Sequence, residues 1–299
     1  MKNMTAKVSC FARAYHYKNN IRWVFCDEIA DKILSKDEYD AISDNMSKGI
    51  QYFNPGFIGT DSEALRYIVD KQLSPSVLAR SKFCERSLDN AVMRGCKQYI
   101  IFASGYDTYS LRTAYADLKL YELDLPDMID DKRNRIENNC LEEKCKTMYI
   151  ACDIAQSAWK NSLINSGFNL EKTSFGSMLG ISYYLKKEEF ACLLQNISDL
   201  WSEGSSICFD YPIYEEGIES VKNQEMARAA NEQMQSKYSY EEVEKILEKN
   251  GFLIYEHYNS IEASAEFFDE YNRINSQHQI IAPKGVCYCL AVKKSIQKK

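Results

Sequence analysis

The residue types best suited to chemistry in this 299-residue chain lie close together. Gly105 falls in Lys97-Gln98-Tyr99-Ile100-Ile101-Phe102-Ala103-Ser104-Gly105-Tyr106-Asp107-Thr108, an apolar strand running into a tight turn and a helix start. Asp124 closes a second short strand, Leu120-Tyr121-Glu122-Leu123-Asp124-Leu125-Pro126. A carboxylate about twenty residues beyond a glycine turn is how an open parallel α/β sheet holds a nucleoside: backbone approaches the ligand at the turn, and the acid accepts the ribose hydroxyls. A dinucleotide would require the later glycines of G-x-G-x-x-G, where a helix N-terminus meets a pyrophosphate. Here Asp107-Thr108 stands at the helix start. An Asp in that place caps free N–H groups and repels a pyrophosphate. The pattern favours a nucleoside cofactor without phosphate, of which S-adenosylmethionine (SAM) is the common one, over a nicotinamide.

Periodicity gives the elements that must position these groups. From Gln98 the chain alternates strands, at 98–103, 118–123, 147–152, 175–181, 205–211, 252–257 and 285–292, with helices, at 108–116, 127–140, 186–201, 239–249 and 261–270. Such alternation calls for a parallel sheet with helices on both faces. Ser239-Tyr240-Glu241-Glu242 is a capping-box signature, and Lys249-Asn250-Gly251-Phe252 ends that helix and enters a strand. Residues 1–95 read as a helical cap: Trp23-Val24-Phe25 with Ile29, Ile33 and Leu34 makes an apolar stripe at helical spacing. Asn54-Pro55-Gly56 and Ile58-Gly59-Thr60 interrupt it, and a helix resumes near Ser76. The expected division is a cap over 1–95 and a cofactor-binding domain over 96–299, with hydrophilic 212–237 as an inserted helix or mobile cap.

Composition bounds the partners. With 45% hydrophobic and 27% charged residues the chain can bury a full core. A net charge of -6 offers no electrostatic case for nucleic acid. There is no run long and apolar enough for a membrane span. Eleven cysteines, scattered and without a C-x-x-C pair, and a polar N-terminus suggest reduced thiols in a cytoplasmic protein. Cys287 and Cys289 share one face of a strand and read as buried apolar groups. With three histidines, His16, His257 and His278, no metal site is expected.

The segment Phe102 to Arg112 resembles the L-G-A-G-x-D-T-R-x-x-R turn of the leucine carboxyl methyltransferase family of SAM-dependent enzymes, which includes bacterial polyketide-type O-methyltransferases. Tyr121-Glu122-Leu123-Asp124-Leu125-Pro126 with Lys132 resembles its F-E-V-D-x-P…K segment. Ser9 to Ala14, Leu78-Ala79-Arg80, Ala151-Cys152-Asp153-Ile154 with Trp159, and Gly180 to Leu185 follow in family order. The resemblance implies a Rossmann-like class I methyltransferase: an α/β fold with a seven-stranded, mostly parallel sheet, helices on both faces and an N-terminal helical cap.

It further implies a site. Ala103, Ser104 and Gly105 would form the cofactor turn. Asp124 and Leu125 would lie at the ribose, although Asp124 also reads as punctuation before Pro126, with Glu122 as the alternative acid. Asp153 would accept the adenine amino group while Ile154 packs on the ring. Arg13 and Arg80 would grip the carboxylate of the cofactor's amino-acid tail, a task suited to a planar guanidinium. The sequence departs from the family at Ala103, which replaces a glycine, at Ser104 and Tyr109, and above all at Leu179, where the family has a glutamate near the cofactor's amino end.

Tyr183, Tyr184 and Tyr211 fall at strand ends and could meet a small-molecule acceptor. Methyl transfer to an oxygen is the expected reaction. A carboxylate needs no base, whereas an alcohol or phenol would benefit from one, with Tyr183, Tyr184 or His257 as candidates. A SAM-binding protein without transferase activity, and an enzyme acting on a protein C-terminus, are the alternatives.

Overall fold

Strands β1 (Gln98–Phe102), β2 (Lys119–Asp124), β3 (Lys146–Ala151), β4 (Ser174–Met178), β5 (Ser206–Pro212), β6 (Phe252–Tyr258) and β7 (Val286–Lys293) form one sheet in the computed structural model. Residues 3–214 and 234–294, with Lys222 and Glu225, are described. Most of the expected 212–237 insertion therefore lies outside the described residues. The strand order is β3-β2-β1-β4-β5-β7-β6. Strands β1 to β5 run parallel, and β7 is antiparallel to both β5 and β6. Because the order reverses between β1 and β4, a crevice opens beyond their carboxyl ends, where ligands bind in open α/β sheets.

The interior strands β1, β4 and β5 are buried throughout, as strands covered on both faces must be. Their side chains alternate between two cores. Ile100, Phe102, Tyr121, Leu123, Phe209 and Tyr211 point into one, with Trp159, Phe190 and Leu194. Tyr99, Ile101, Leu120, Phe175 and Cys208 point into the other, against Leu78, Phe83 and Leu88. Cys287 and Cys289 are buried together in the first core.

The N-terminal helices are α1 (Met4–Lys18), α2 (Ala30–Ile33), α3 (Lys36–Lys48), α4 (Ile50–Phe53), α5 (Asp61–Ile68) and α6 (Ser74–Met93). They share cores with the rest of the chain: Phe11, Ala14 and Ile33 cluster with Tyr106, Leu111, Met128 and Ile136 from the segments after β1 and β2, while Leu78 and Phe83 of α6 pack on the sheet. The stripe from Trp23 to Leu34 is not one helix. Asp27 caps a single turn at Ala30–Ile33 by accepting from the Ile29 and Ala30 N–H groups, so the chain ahead of it runs as a loop. The helix expected near Ser76 starts earlier. Thr60 and Glu63 form a capping box that opens α5, and a widened π turn, Val69–Leu73, carries it into α6. Pro75 lies in the first turn of α6, lacks an N–H and crowds the preceding turn, which the wider helix relieves.

Helix α7, expected over 108–116, is only Tyr109–Arg112, and Thr113 is already extended. Helices α8 (Pro126–Asn138), α9 (Trp159–Asn165) and α10 (Lys187–Leu200) follow, and the Ser239 capping box starts Tyr240–Lys249 as read from the sequence.

Candidate active site

At the end of β1 the backbone turns through two left-handed residues, Ala103 (φ 51°) and Gly105 (φ 50°). Gly105 adopts this freely, whereas Ala103 carries a Cβ that the conformation disfavours. A Cβ at Gly105 would stand 3.4 Å from the Ala6 Cβ of α1, so α1 packs directly over the turn. Ser104 donates its N–H to the Leu123 carbonyl, and Gly105 donates its own to Asp124 Oδ2 at 2.7 Å. The other Asp124 oxygen accepts from the Leu125 N–H at 2.7 Å. Burial raises the Asp124 carboxyl, against these two backbone donors and the nearby Lys132. Asp107 caps α7 through the Tyr109 N–H at 2.7 Å.

Glu122, one full pleat back from Asp124, is wholly buried and ion-paired with the equally buried Lys132 of α8. Burial pushes its carboxyl up to about 7, with Lys132 and the Ser104 hydroxyl acting the other way. Glu122 thus ties β2 to α8, while Asp124 reaches the turn. Leu125 is 55% exposed beside Asp124. Asp153, past the end of β3, accepts from the Ala155 N–H and the Gln156 amide, and Ile154 packs half-buried against the core.

The two arginines have different surroundings. Arg13 donates to Asp27 Oδ2 at 2.8 Å, to the Ser9 carbonyl at 3.2 Å and to the Tyr106 carbonyl at 2.6 Å. It ties α1 to the turn through the protein's own acceptors. Asp27 also accepts from Thr108 and lies 3.5 Å from Arg112, which is paired with Glu85. Burial acts to raise the Asp27 carboxyl, but the two arginines and the hydrogen bonds hold it below its ordinary value. Arg80 instead lines a cavity, with Nη2 on the Ser9 hydroxyl at 3.0 Å and Nη1 3.7 Å from Asp210 Oδ2. A Cβ at Gly180 (φ 70°) would lie 2.5 Å from Arg80 Nη1, so the guanidinium occupies the space that any side chain there would take. Leu179 faces a small crevice with Arg13, Glu85, Asp107 and Arg112.

The cavity has a volume of about 1160 Å³. Its walls come from Met4, Thr5, Val8 and Ser9 of α1, Ile42 and Met46 of α3, Val77 and Arg80 of α6, then Gly180, Tyr183 and Tyr184, and finally residues 234–237 with Pro283, Gly285 and Val286. Tyr183 donates its hydroxyl to Asp210 Oδ2 at 2.9 Å, and its carbonyl accepts from the Gln235 N–H. Burial and the Asp210 charge keep this phenol protonated. Tyr211 is not among the lining residues. It is buried in the opposite core with its hydroxyl 2.8 Å from His257 Nε2, since adjacent residues on a strand point to opposite faces. The tyrosine and histidine considered as acceptor-side groups there meet each other instead.

Residues 6–198 match the family model of the leucine carboxyl methyltransferases. The chain belongs to that family. Across almost the full length of both proteins, 98% of each, it is 34% identical to YktD of Bacillus subtilis (strain 168), which is named as an S-adenosyl-L-methionine-dependent methyltransferase. A matching protein from Saccharopolyspora erythraea, named likewise, is 26% identical over 46% of this chain and 48% of its own length. Among solved structures, a DUF574 family protein from Streptomyces avermitilis superposes with a TM-score of 0.58 at 12% identity, covering 97% of each chain. Another, from Thermobifida fusca and named as a methyltransferase, gives 0.54 at 13% identity over 84% of this chain and 94% of its own. These likenesses agree with the class I methyltransferase fold.

This family member is a SAM-dependent methyltransferase, and its turn fits the cofactor. Ala6 packs against Gly105, the Asp124 carboxylate accepts from the turn, and the Arg80 guanidinium lies over Gly180. Sequence reasoning missed Asp27 and Asp210. Each left a trace: Asp27 precedes a helix start, and Asp210 is the lone acid in the apolar strand Ile207-Cys208-Phe209-Asp210-Tyr211.

Proposed function

We propose that this methyltransferase acts on an oxygen of a small molecule, with a carboxylate as the best-fitting acceptor. The observation that carries the reading is the cavity of about 1160 Å³ whose wall includes Arg80 and Gly180. It has room for an acceptor with an apolar body, contacted by Val8, Ile42, Met46 and Val77.

When bound, SAM supplies an electrophilic methyl group on a sulfonium. The protein's work is then alignment. Asp124, with Leu125 beside it, would accept the ribose hydroxyls, Ile154 would pack on the adenine, Asp153 would take its amino group, and Arg80 would hold the tail carboxylate. The α1 helix packs against the turn through Ala6. Tyr183 holds its proton against Asp210 and serves to shape the wall rather than to remove a proton. Glu38 is held well below the usual carboxylate range by hydrogen bonds from Arg135 and Lys7 and is likewise committed. An acceptor that arrives ionised suits this wall as it stands. A cytoplasmic setting belongs to the same reading, supported by eleven free cysteines; among the described residues no helix is long and apolar enough to cross a membrane.

The test is isotope-labelled SAM with a panel of apolar carboxylic acids, phenols, alcohols and a peptide with a free C-terminus. Base-labile methyl esters of the acids are expected. Transfer confined to the peptide would reassign the acceptor, and SAM binding without transfer to any member would favour a binding protein.

A further inference from the structure

We propose that Asp210 is the positioning residue that aims Arg80 at the amino-acid tail of the cofactor. The inference rests on Arg80 as the tail's anchor, and it concerns a residue on a strand well beyond the turn.

Asp210 is completely buried near the carboxyl end of β5. A carboxylate so placed is costly unless donors surround it. Its Oδ1 accepts the Gly180 N–H at 2.6 Å, and its Oδ2 accepts the Tyr183 hydroxyl at 2.9 Å and faces Arg80 Nη1 at 3.7 Å. The Ser182 hydroxyl donates to its carbonyl at 2.6 Å. The residues after β4 are thus gathered around one carboxylate, and the guanidinium lies over Gly180, where no side chain fits. Arg80 also donates to the Ser9 hydroxyl of α1.

This arrangement does two things. It fixes Arg80 at the junction of the cavity with the α1 helix that covers the turn, leaving guanidinium N–H groups for an incoming carboxylate. It also sets a fixed negative charge behind the cationic one. The tail then meets a guanidinium held in one place and balanced from behind by an acid that lies outside the cavity wall. With leucine at position 179, Asp210 is the acid that the Gly180 backbone and Arg80 share.

The experiment compares calorimetric binding of S-adenosylhomocysteine with that of 5′-methylthioadenosine, which keeps the adenosine and sulfur but lacks the amino-acid tail. Asp210→Asn preserves the shape and removes the charge. It is expected to weaken S-adenosylhomocysteine by about tenfold or more while 5′-methylthioadenosine changes by less than about twofold. A merely structural role would move both ligands together or neither, and either result overturns the proposal. Arg80→Gln is the parallel arm. If it leaves the ratio of the two affinities unchanged, the anchoring role of Arg80 fails. If it lowers the ratio and Asp210→Asn does not, only the role of Asp210 fails. Should Asp210→Asn not fold, Asp210→Glu keeps the charge and moves it by one methylene; the ratio must then fall, and an unchanged ratio overturns the proposal.

Discussion

The cofactor turn draws on two neighbouring strands, β1 and β2, whose ends are joined by the Gly105 N–H donating to Asp124 Oδ2. The cavity beside it draws its wall from three N-terminal helices, the residues after β4 and β5, and two late segments. The first region is local in sequence and fixed by backbone geometry. The second depends on side chains that tertiary packing brings together. On the function proposed above, the local part holds the cofactor and the part assembled from afar sets the acceptor, so the two should respond separately to substitution.

The largest effect is expected beneath the cofactor turn. Lys132→Met leaves Glu122 buried without its cation, at a cost of about 3–5 kcal/mol near pH 8. The sign with pH follows from the carboxyl already raised to about 7 with Lys132 present. Removing the cation raises it further. A carboxyl raised above its unfolded value contributes stability below that unfolded value and loses it as pH rises through the folded one. The deficit should therefore shrink as the pH is lowered toward about 5, read by denaturant unfolding at several pH values. A deficit independent of pH would mean that Glu122 does not titrate there.

Asp124→Ala removes charge-assisted hydrogen bonds worth about 1.5–3 kcal/mol, so S-adenosylhomocysteine should bind about 10- to 150-fold more weakly. Unchanged calorimetric affinity in a folded variant would remove Asp124 from the site. On the acceptor side, Val77→Phe fills part of the cavity and should change kcat/KM for acceptors by about 1–2 kcal/mol, with cofactor affinity nearly constant. Parallel changes in both would break the separation of the two regions. The smallest effect concerns Ala103→Gly, which relieves a left-handed alanine at the cost of a freer unfolded chain. A gain of up to about 1 kcal/mol is expected by thermal unfolding, and a clear loss would show that the alanine methyl contributes packing that outweighs its strain.

What could be read from the sequence follows the same division. The seven strands and the turn were legible because alternating strands and helices, a glycine and an acid are all local signals. Arg13 was legible by type but not by partner: its acceptors are Asp27 and the Tyr106 carbonyl, the latter 93 residues away. Tyr211 was placed at the acceptor by its position at a strand end, yet the two-residue period of β5 sends Asp210 toward Arg80 and Tyr211 to the far face with His257. Choosing between those neighbours requires knowing which face the cavity occupies, and that depends on where α6 packs. The loop at Trp23 to Glu28 has helical apolar spacing but is held by Asp27 and by His16, which accepts the Val24 N–H.

The first two turns of α1 touch both regions: Ala6 lies over Gly105, while Met4, Thr5, Val8 and Ser9 line the cavity. A single substitution in these two turns, such as a bulky side chain at Ala6, is therefore expected to weaken both ligands of the proposed reaction together and to pass for the loss of a catalytic group.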